Sequence, residues 1–205
     1  LKALRYTCEN GTDLLLELPE GHIWLGGEES SKDGTIFNAN IPTEEVFSAP
    51  QYNGVNGIVY STKPLIYHGN TISDFSFTFK EGKIVEYTAK EGYEVLKELV
   101  ETDEGSHYLG EVALVDHFSP ISQSNQIFFE TLFDENASCH LAIGASYPTC
   151  LKDSDGLSEE ELKERGLNHS LTHVDFMIGH ERMNIKGYTR DGQEVDIMID
   201  GRLQV

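Results

Sequence analysis

Cysteine is scarce and odd in number: Cys8, Cys139 and Cys150, with no CxxC pair. That argues against a disulfide framework and fits reduced thiols in a cytoplasmic protein. Cys139 precedes His140, but neighbouring side chains diverge, so the pair does not read as a nucleophile and its base. No apolar run approaches the roughly 20 residues that a membrane-spanning helix needs. The first residues, interrupted by Glu9 and Asp13, lack the apolar stretch of a secretory signal. An initiator Met is also missing, as expected of a chain that begins inside a longer protein. Basic residues are few: 15 against 35 acidic, a formal net charge of −20. Such a surface repels phosphate backbones and anionic lipid, so neither nucleic acid nor membrane is an expected partner. Internal repeats and low-complexity tracts are absent too.

What is present is an ordinary globular composition, 39% apolar and 24% charged, in 205 residues. Most of the acid reads as solvated surface; the carboxylates of interest are those in apolar surroundings. Ala3 to Cys8 and Leu14 to Leu18 flank Asn10-Gly11-Thr12, a hairpin signal. Ile23 to Leu25 is a short apolar run, Glu28 to Gly34 reads as a loop, and Gly57 to Ser61 as a strand. Phe75 to Phe79 and Ile84 to Tyr87 form a second hairpin. Tyr93, Leu96, Leu99 and Val100 have helical spacing. Leu109 to Val115 reads as a strand. Asp134-Glu135-Asn136 followed by Ala137 to Ile143 reads as a capped helix stopped by Gly144. Ser158 with Glu161 is a capping box. Leu171 to Ile178 is a strand, and Val195 to Ile199 the last one. The expectation is one α+β domain over 1–205, with mostly antiparallel or mixed sheet and a few helices.

Four segments could carry chemistry. In Leu171 to Ile178, His173 and Asp175 share one face of a strand. A neutral imidazole and a carboxylate so placed suit a metal ion, and so would a His–Asp hydrogen bond facing solvent. In Asp134 to His140, His140 falls about a turn into the expected helix, either as a ligand or as a satisfied core or surface residue. Tyr147 follows at the exit, able to donate to a developing oxyanion or simply to pack. Glu111 opens an apolar strand, a place where a carboxylate is usually solvated. Glu44 and Glu45 lie between Pro42 and Pro50, which stiffen an extended stretch suited to a fixed ligand or to a surface loop. Together Glu45, Glu111, His140, His173 and Asp175 are rich in oxygen and nitrogen and free of thiolate, as at zinc, cobalt or manganese hydrolase sites. Their three carboxylates, at −3, balance two divalent ions better than one.

NIPTEEVFSAP (Asn40 to Pro50), LGEVALV (Leu109 to Val115), SPISQS (Ser119 to Ser124), TLFDENASCHLAIG (Thr131 to Gly144), SYPTC (Ser146 to Cys150) and HVDFMIG (His173 to Gly179) resemble the aminopeptidase T family, which includes aminopeptidase S. The resemblance runs from about Leu14 to Val205. It implies a cytoplasmic exopeptidase that removes N-terminal residues from peptides with two divalent ions, zinc or cobalt or else manganese. It implies Glu45, Glu111, His140, His173 and Asp175 as ligands and Tyr147 as catalytic. Glu44 is the candidate general base or outer carboxylate, with its role and that of Glu45 interchangeable at this point. Family members are longer and form homodimers, so this chain resembles their C-terminal catalytic half. The alternative expectation is a metal- or peptide-binding domain that is inactive without an N-terminal partner domain.

Overall fold

The computed structural model describes residues 1–38 and 45–204. Its strands in chain order are β1 (Ala3–Thr7), β2 (Asp13–Glu17), β3 (Leu25–Gly26), β4 (Glu28–Ser30), β5 (Ile36–Asn38), β6 (Val46–Ser48), β7 (Val55–Tyr60), β8 (Leu65–Tyr67) and β9 (Asn70–Ile72). They continue with β10 (Ser76–Lys80), β11 (Lys83–Thr88), β12 (Leu109–Leu114), β13 (His140–Gly144), β14 (His173–Met177), β15 (Asn184–Tyr188), β16 (Glu194–Ile199) and β17 (Arg202–Leu203). The helices are few and short: α1 (Tyr93–Val100), α2 (Pro120–Gln123), α3 (Thr131–Asp134) and α4 (Glu159–Glu164). This is the expected α+β class, and no helix among the described residues is long and apolar enough to cross a membrane.

Two antiparallel sheets carry the fold. The larger runs β11-β10-β7-β2-β1-β15-β16-β17 and the smaller runs β14-β13-β12-β6-β3. They share one core. Leu4, Leu14, Leu16, Val59 and Phe77 of the larger sheet cluster with Val112, Leu141, Ile143 and Phe176 of the smaller. Phe77 and Phe176 meet edge to face, with ring centroids 5.1 Å apart. Helix α1 adds Leu96, Leu99 and Val100 to the same core, the face its spacing predicts.

That shared core fixes the other face of the smaller sheet. Strand side chains alternate, so once Val174 and Phe176 enter the core, His173 and Asp175 must turn away from it. Cys139, just before β13, and Leu141 and Ile143 on it go inward, and His140, Ala142 and Gly144 share the outer face. The register then lines up rows across the sheet. Glu111 pairs with Ala142, which pairs with Asp175. Phe47 pairs with Ala113, which pairs with His140. Gly144 pairs with His173. The small residues Ala113, Ala142 and Gly144 therefore lie between the long polar ones and leave room above the sheet. At Gly144, with φ +105°, any Cβ would stand 2.1 Å from the carbonyl oxygen of Thr172, so only glycine lets the strand carrying His173 approach.

Several expectations need correcting. Residues 138–143 are not helical. The helical signal is used up earlier, in α3 and a 3-10 turn at Glu135–Ala137, and His140 to Gly144 form a strand. Alternation of core and outer side chains, with ladder bonds on both edges of β13, outweighs the local propensity for helix. His140 thus sits on a strand, and Tyr147 leaves that strand rather than a helix. Glu28 to Ser30 is not loop but pairs with Ile36 to Asn38. Strand β15 was not anticipated, and β17 follows the strand expected to be last. The capping box at Ser158 forms as its spacing predicts, with Ser158 N–H donating to Glu161 Oε2 at 2.7 Å.

Candidate metal centre

The smaller sheet brings Glu45, Glu111, His140, His173 and Asp175 to one place. Glu45, Glu111 and His140 each offer one ligand atom within 4.8 Å of the others, and so do Glu111, His173 and Asp175. Glu111 is common to both triads. Its Oε1 lies 3.4 Å from His140 Nε2 and its Oε2 3.8 Å from His173 Nε2, so each oxygen faces one imidazole. Glu111 is buried, not solvated at a strand end. Glu45 leaves β6 on the face that carries Phe47 and reaches the same cluster. Glu44 lies outside the described residues.

Both imidazoles are oriented from behind. His140 Nδ1 is 2.9 Å from the carbonyl oxygen of Ser138, and His173 Nδ1 is 2.8 Å from that of Ala145. A carbonyl oxygen only accepts, so Nδ1 carries the hydrogen and donates it. The neutral ring then presents the lone pair of Nε2 to the cluster, as a ligand histidine must.

A third triad adds a residue that the motifs did not single out: Glu135, with His140 and Asp175, each offering one atom within 4.8 Å of the others. Glu135 sits on the 3-10 turn that replaces the expected helix start. The signal in the sequence was a carboxylate inside an apolar segment, but the triplet Asp134-Glu135-Asn136 reads equally well as a helix cap.

Electrostatically the cluster is short of positive charge. Burial alone would lower His140, yet its hydrogen bond with Glu111 and the fields of Asp175, Glu45 and Glu111 carry it up to about 10. His173 is likewise carried up to about 9 by Asp175 and Glu111 against the effect of burial. Glu45 is raised, first by burial and then by Glu111 and Asp175, with His140 opposing. Glu135 is pushed up to about 9, first by burial and then by Asp175. Burial would raise Asp175 as well, but hydrogen bonds with His173 and Glu135 and the fields of both histidines draw it below its ordinary value. Tyr147 stacks obliquely on His173, ring centroids 4.7 Å apart, and burial with the nearby carboxylates pushes its phenol up to about 12, so it stays a donor at neutral pH.

The donor set fits divalent cations. Glu45 Oε2 is buried without a hydrogen-bond partner, and Asp175 Oδ1, buried too, has His173 Nε2 at 3.5 Å, at the limit of a hydrogen bond. An orphaned buried carboxylate oxygen costs roughly several kcal/mol unless a cation or a donor meets it. A cysteine nucleophile does not fit. Burial pushes Cys139 and Cys150 up to about 12, and the Cys139 thiol donates to the carbonyl of Val115.

Comparison with known proteins agrees with this geometry. Residues 1–203 match the family model described as thermophilic metalloprotease (M29). The chain is 57% identical over 199 residues to aminopeptidase AmpS of Bacillus subtilis, covering 97% of this chain and 48% of that protein. It is 46% identical over 192 residues to aminopeptidase T of Thermus aquaticus, covering 94% and 47%. The structure of wild-type AmpT from Thermus thermophilus superposes with a TM-score of 0.92 at 44% identity, over 100% of this chain and 50% of that one. The chain thus spans about half the length of the curated relatives it matches. A 2,5-dihydroxypyridine dioxygenase from Pseudomonas putida shares the fold alone, with a TM-score of 0.62 at 13% identity over 99% of this chain and 55% of that one. A fold shared by proteins so unlike in name cannot assign chemistry; the side chains must.

Proposed function

The chain belongs to the thermophilic metalloprotease family M29, and from that premise we propose that it is the catalytic part of an aminopeptidase working with two divalent metal ions. The observation that carries the reading is the pair of triads joined at Glu111. Glu45 and His140 would hold one ion, His173 and Asp175 the other, with Glu111 placed within reach of both groups. Ions bound there supply Lewis-acid polarisation of the scissile carbonyl and a water acidified toward pH 7. Zinc or cobalt suits these ligands, with manganese a further choice.

The chain's own residues do the rest. Tyr147 O–H donates to the carbonyl oxygen as it becomes an oxyanion. Glu135 would be drawn down from its raised value by cations in the cluster, and the carboxylate so ionised, beside Asp175, would take a proton from the attacking water and pass it to the leaving amine. We keep Glu44 as a candidate outer carboxylate. The names of the relatives, aminopeptidases in each case, support removal of the first residue rather than internal cleavage. We further propose a cytoplasmic location and a homodimer for the full-length protein. Peptides are the substrates, and a net charge of −20 speaks against nucleic acid and anionic membrane as partners.

Exhaustive chelation should abolish hydrolysis of aminoacyl-anilides, and zinc or cobalt should restore it. Full activity in excess chelator would sink the proposal. A second reading follows from the half-length match: a metal-binding domain that needs the rest of the protein to act. It predicts that metal raises the thermal midpoint while no anilide is turned over.

Metal uptake should also release protons. His140 and His173, held at about 10 and about 9, each carry a proton at pH 7 in the ion-free protein. A ligand imidazole is neutral, so both protons must leave. Affinity then rises with pH from 7 toward 9, roughly 100-fold per pH unit while two protons are displaced. Above about 10 this dependence vanishes. Calorimetry in two buffers of different ionisation enthalpy counts the protons, and a count of zero would contradict the assignment of the two ligands.

A further inference from the structure

Beside the ligand set, the same face of the sheet turns apolar. Leu25, Phe47, Ala113, His140 and Met177 form one row across β3, β6, β12, β13 and β14. Strands lie about 4.8 Å apart, so Phe47 stands two strands from His140 with only the methyl of Ala113 between. The Phe47 ring meets the Tyr147 ring edge to face at 6.3 Å between centroids, and Tyr147 in turn lies on His173. Beneath them Leu25 and Phe47 pack on the buried Ala49, Cys150, Leu151 and Leu167. Neither Leu25 nor Phe47 is fully covered, and Tyr147 is 47% exposed. The result is an open apolar shelf, bounded by Tyr147, immediately beside the ligand cluster.

We infer that this shelf receives the side chain of the residue being removed, and that Phe47 sets a preference for apolar over charged first residues. The inference rests on the aminopeptidase reading above. A peptide whose first carbonyl lies at the cluster, beneath Tyr147, places its first side chain within one side chain's length of Phe47. A charged group set on the shelf would lose its water against Leu25 and Phe47, which offer it no charge among the described residues that form the shelf. An apolar one removes its own surface and that of Phe47 from water. A second apolar surface, with Phe129, Leu132 and Phe133 exposed, borders the opposite side through α3 and β14, and it is the competing place for that side chain.

The test uses the zinc-loaded protein and the p-nitroanilides of Phe, Leu, Ala, Lys and Glu. The wild type should prefer Phe and Leu over Glu and Lys by more than roughly tenfold. Phe47→Ala should lower kcat/KM for Phe and Leu by roughly tenfold, through KM, and leave Ala within about twofold. Phe47→Leu, which keeps the packing, should weaken Phe more than Leu. Calorimetry with phenylalanine hydroxamate against glycine hydroxamate reads the same selectivity without turnover, and the ratio should fall about tenfold in Phe47→Ala. If the wild type cleaves nothing while that ratio falls, the shelf stands and the peptidase reading fails. An unchanged ratio, an equal loss on Ala and Leu substrates, or a change of preference produced by Phe133→Ala in place of Phe47→Ala overturns the inference.

Discussion

Glu111→Gln should empty the metal centre and lower anilide hydrolysis by roughly 10⁴-fold or more, the scale on which enzymes lose a residue that acts as part of a unit. Glu111 belongs to two of the three triads, with an oxygen toward each imidazole. Removing its charge takes the ligand carboxylates from −3 to −2 and strips a ligand from both positions at once. Glutamine keeps the shape and still offers a carbonyl oxygen and an amide to its neighbours. Alanine would be the poorer probe, because it leaves His140 Nε2 buried and unpaired, at a cost of about 1–3 kcal/mol. Elemental analysis should find the zinc content falling from two per chain to one or none, while the thermal midpoint of the ion-free protein moves little. A variant that keeps two ions and its turnover would remove Glu111 from the centre.

The second large effect is expected at Tyr147. Tyr147→Phe preserves the ring contacts with His173 and Phe47 and removes only the hydroxyl. If that hydroxyl stabilises the oxyanion, kcat should fall about 10²- to 10³-fold, or about 3 kcal/mol, with KM within about threefold. Metal content should stay at the wild-type value, since the phenol belongs to none of the three triads. The opposite pattern, with KM raised and kcat intact, would make Tyr147 a wall of the substrate site and no more. These two variants separate the roles of holding the ions and of stabilising the transition state.

Much of this centre could be read before any coordinates. The pairing of His173 with Asp175 follows from the two-residue period of a strand, and that period is a local property of the backbone. Glu111 and His140 were harder. A glutamate at the head of an apolar strand is usually solvated, and only its burial beside His140 and His173 makes Glu111 a candidate ligand. His140 was expected on a helix because Asp134, Asn136 and Ala137 have capping and helical character. Pairing with β12 and β14 decided otherwise. Glu135 escaped for a related reason: a carboxylate at an expected helix start already has a sufficient local explanation.

The sequence by itself determined the residue types of the site, the absence of thiolate among them, the hairpins at Asn10-Gly11 and at Lys80 to Lys83, helix α1 and the α+β class, because each depends on neighbours a few positions away. Its long ordered motifs also pointed to the aminopeptidase T family. Only the tertiary structure decided that carboxylates and imidazoles from residues 45, 111, 140, 173 and 175 meet, that Glu111 joins two groups of them, and that Glu135 and Phe47 border them. Convergence over 130 positions depends on strand register. Register is set by the pairing of whole strands and by the core beneath them, and no short stretch of chain encodes it alone.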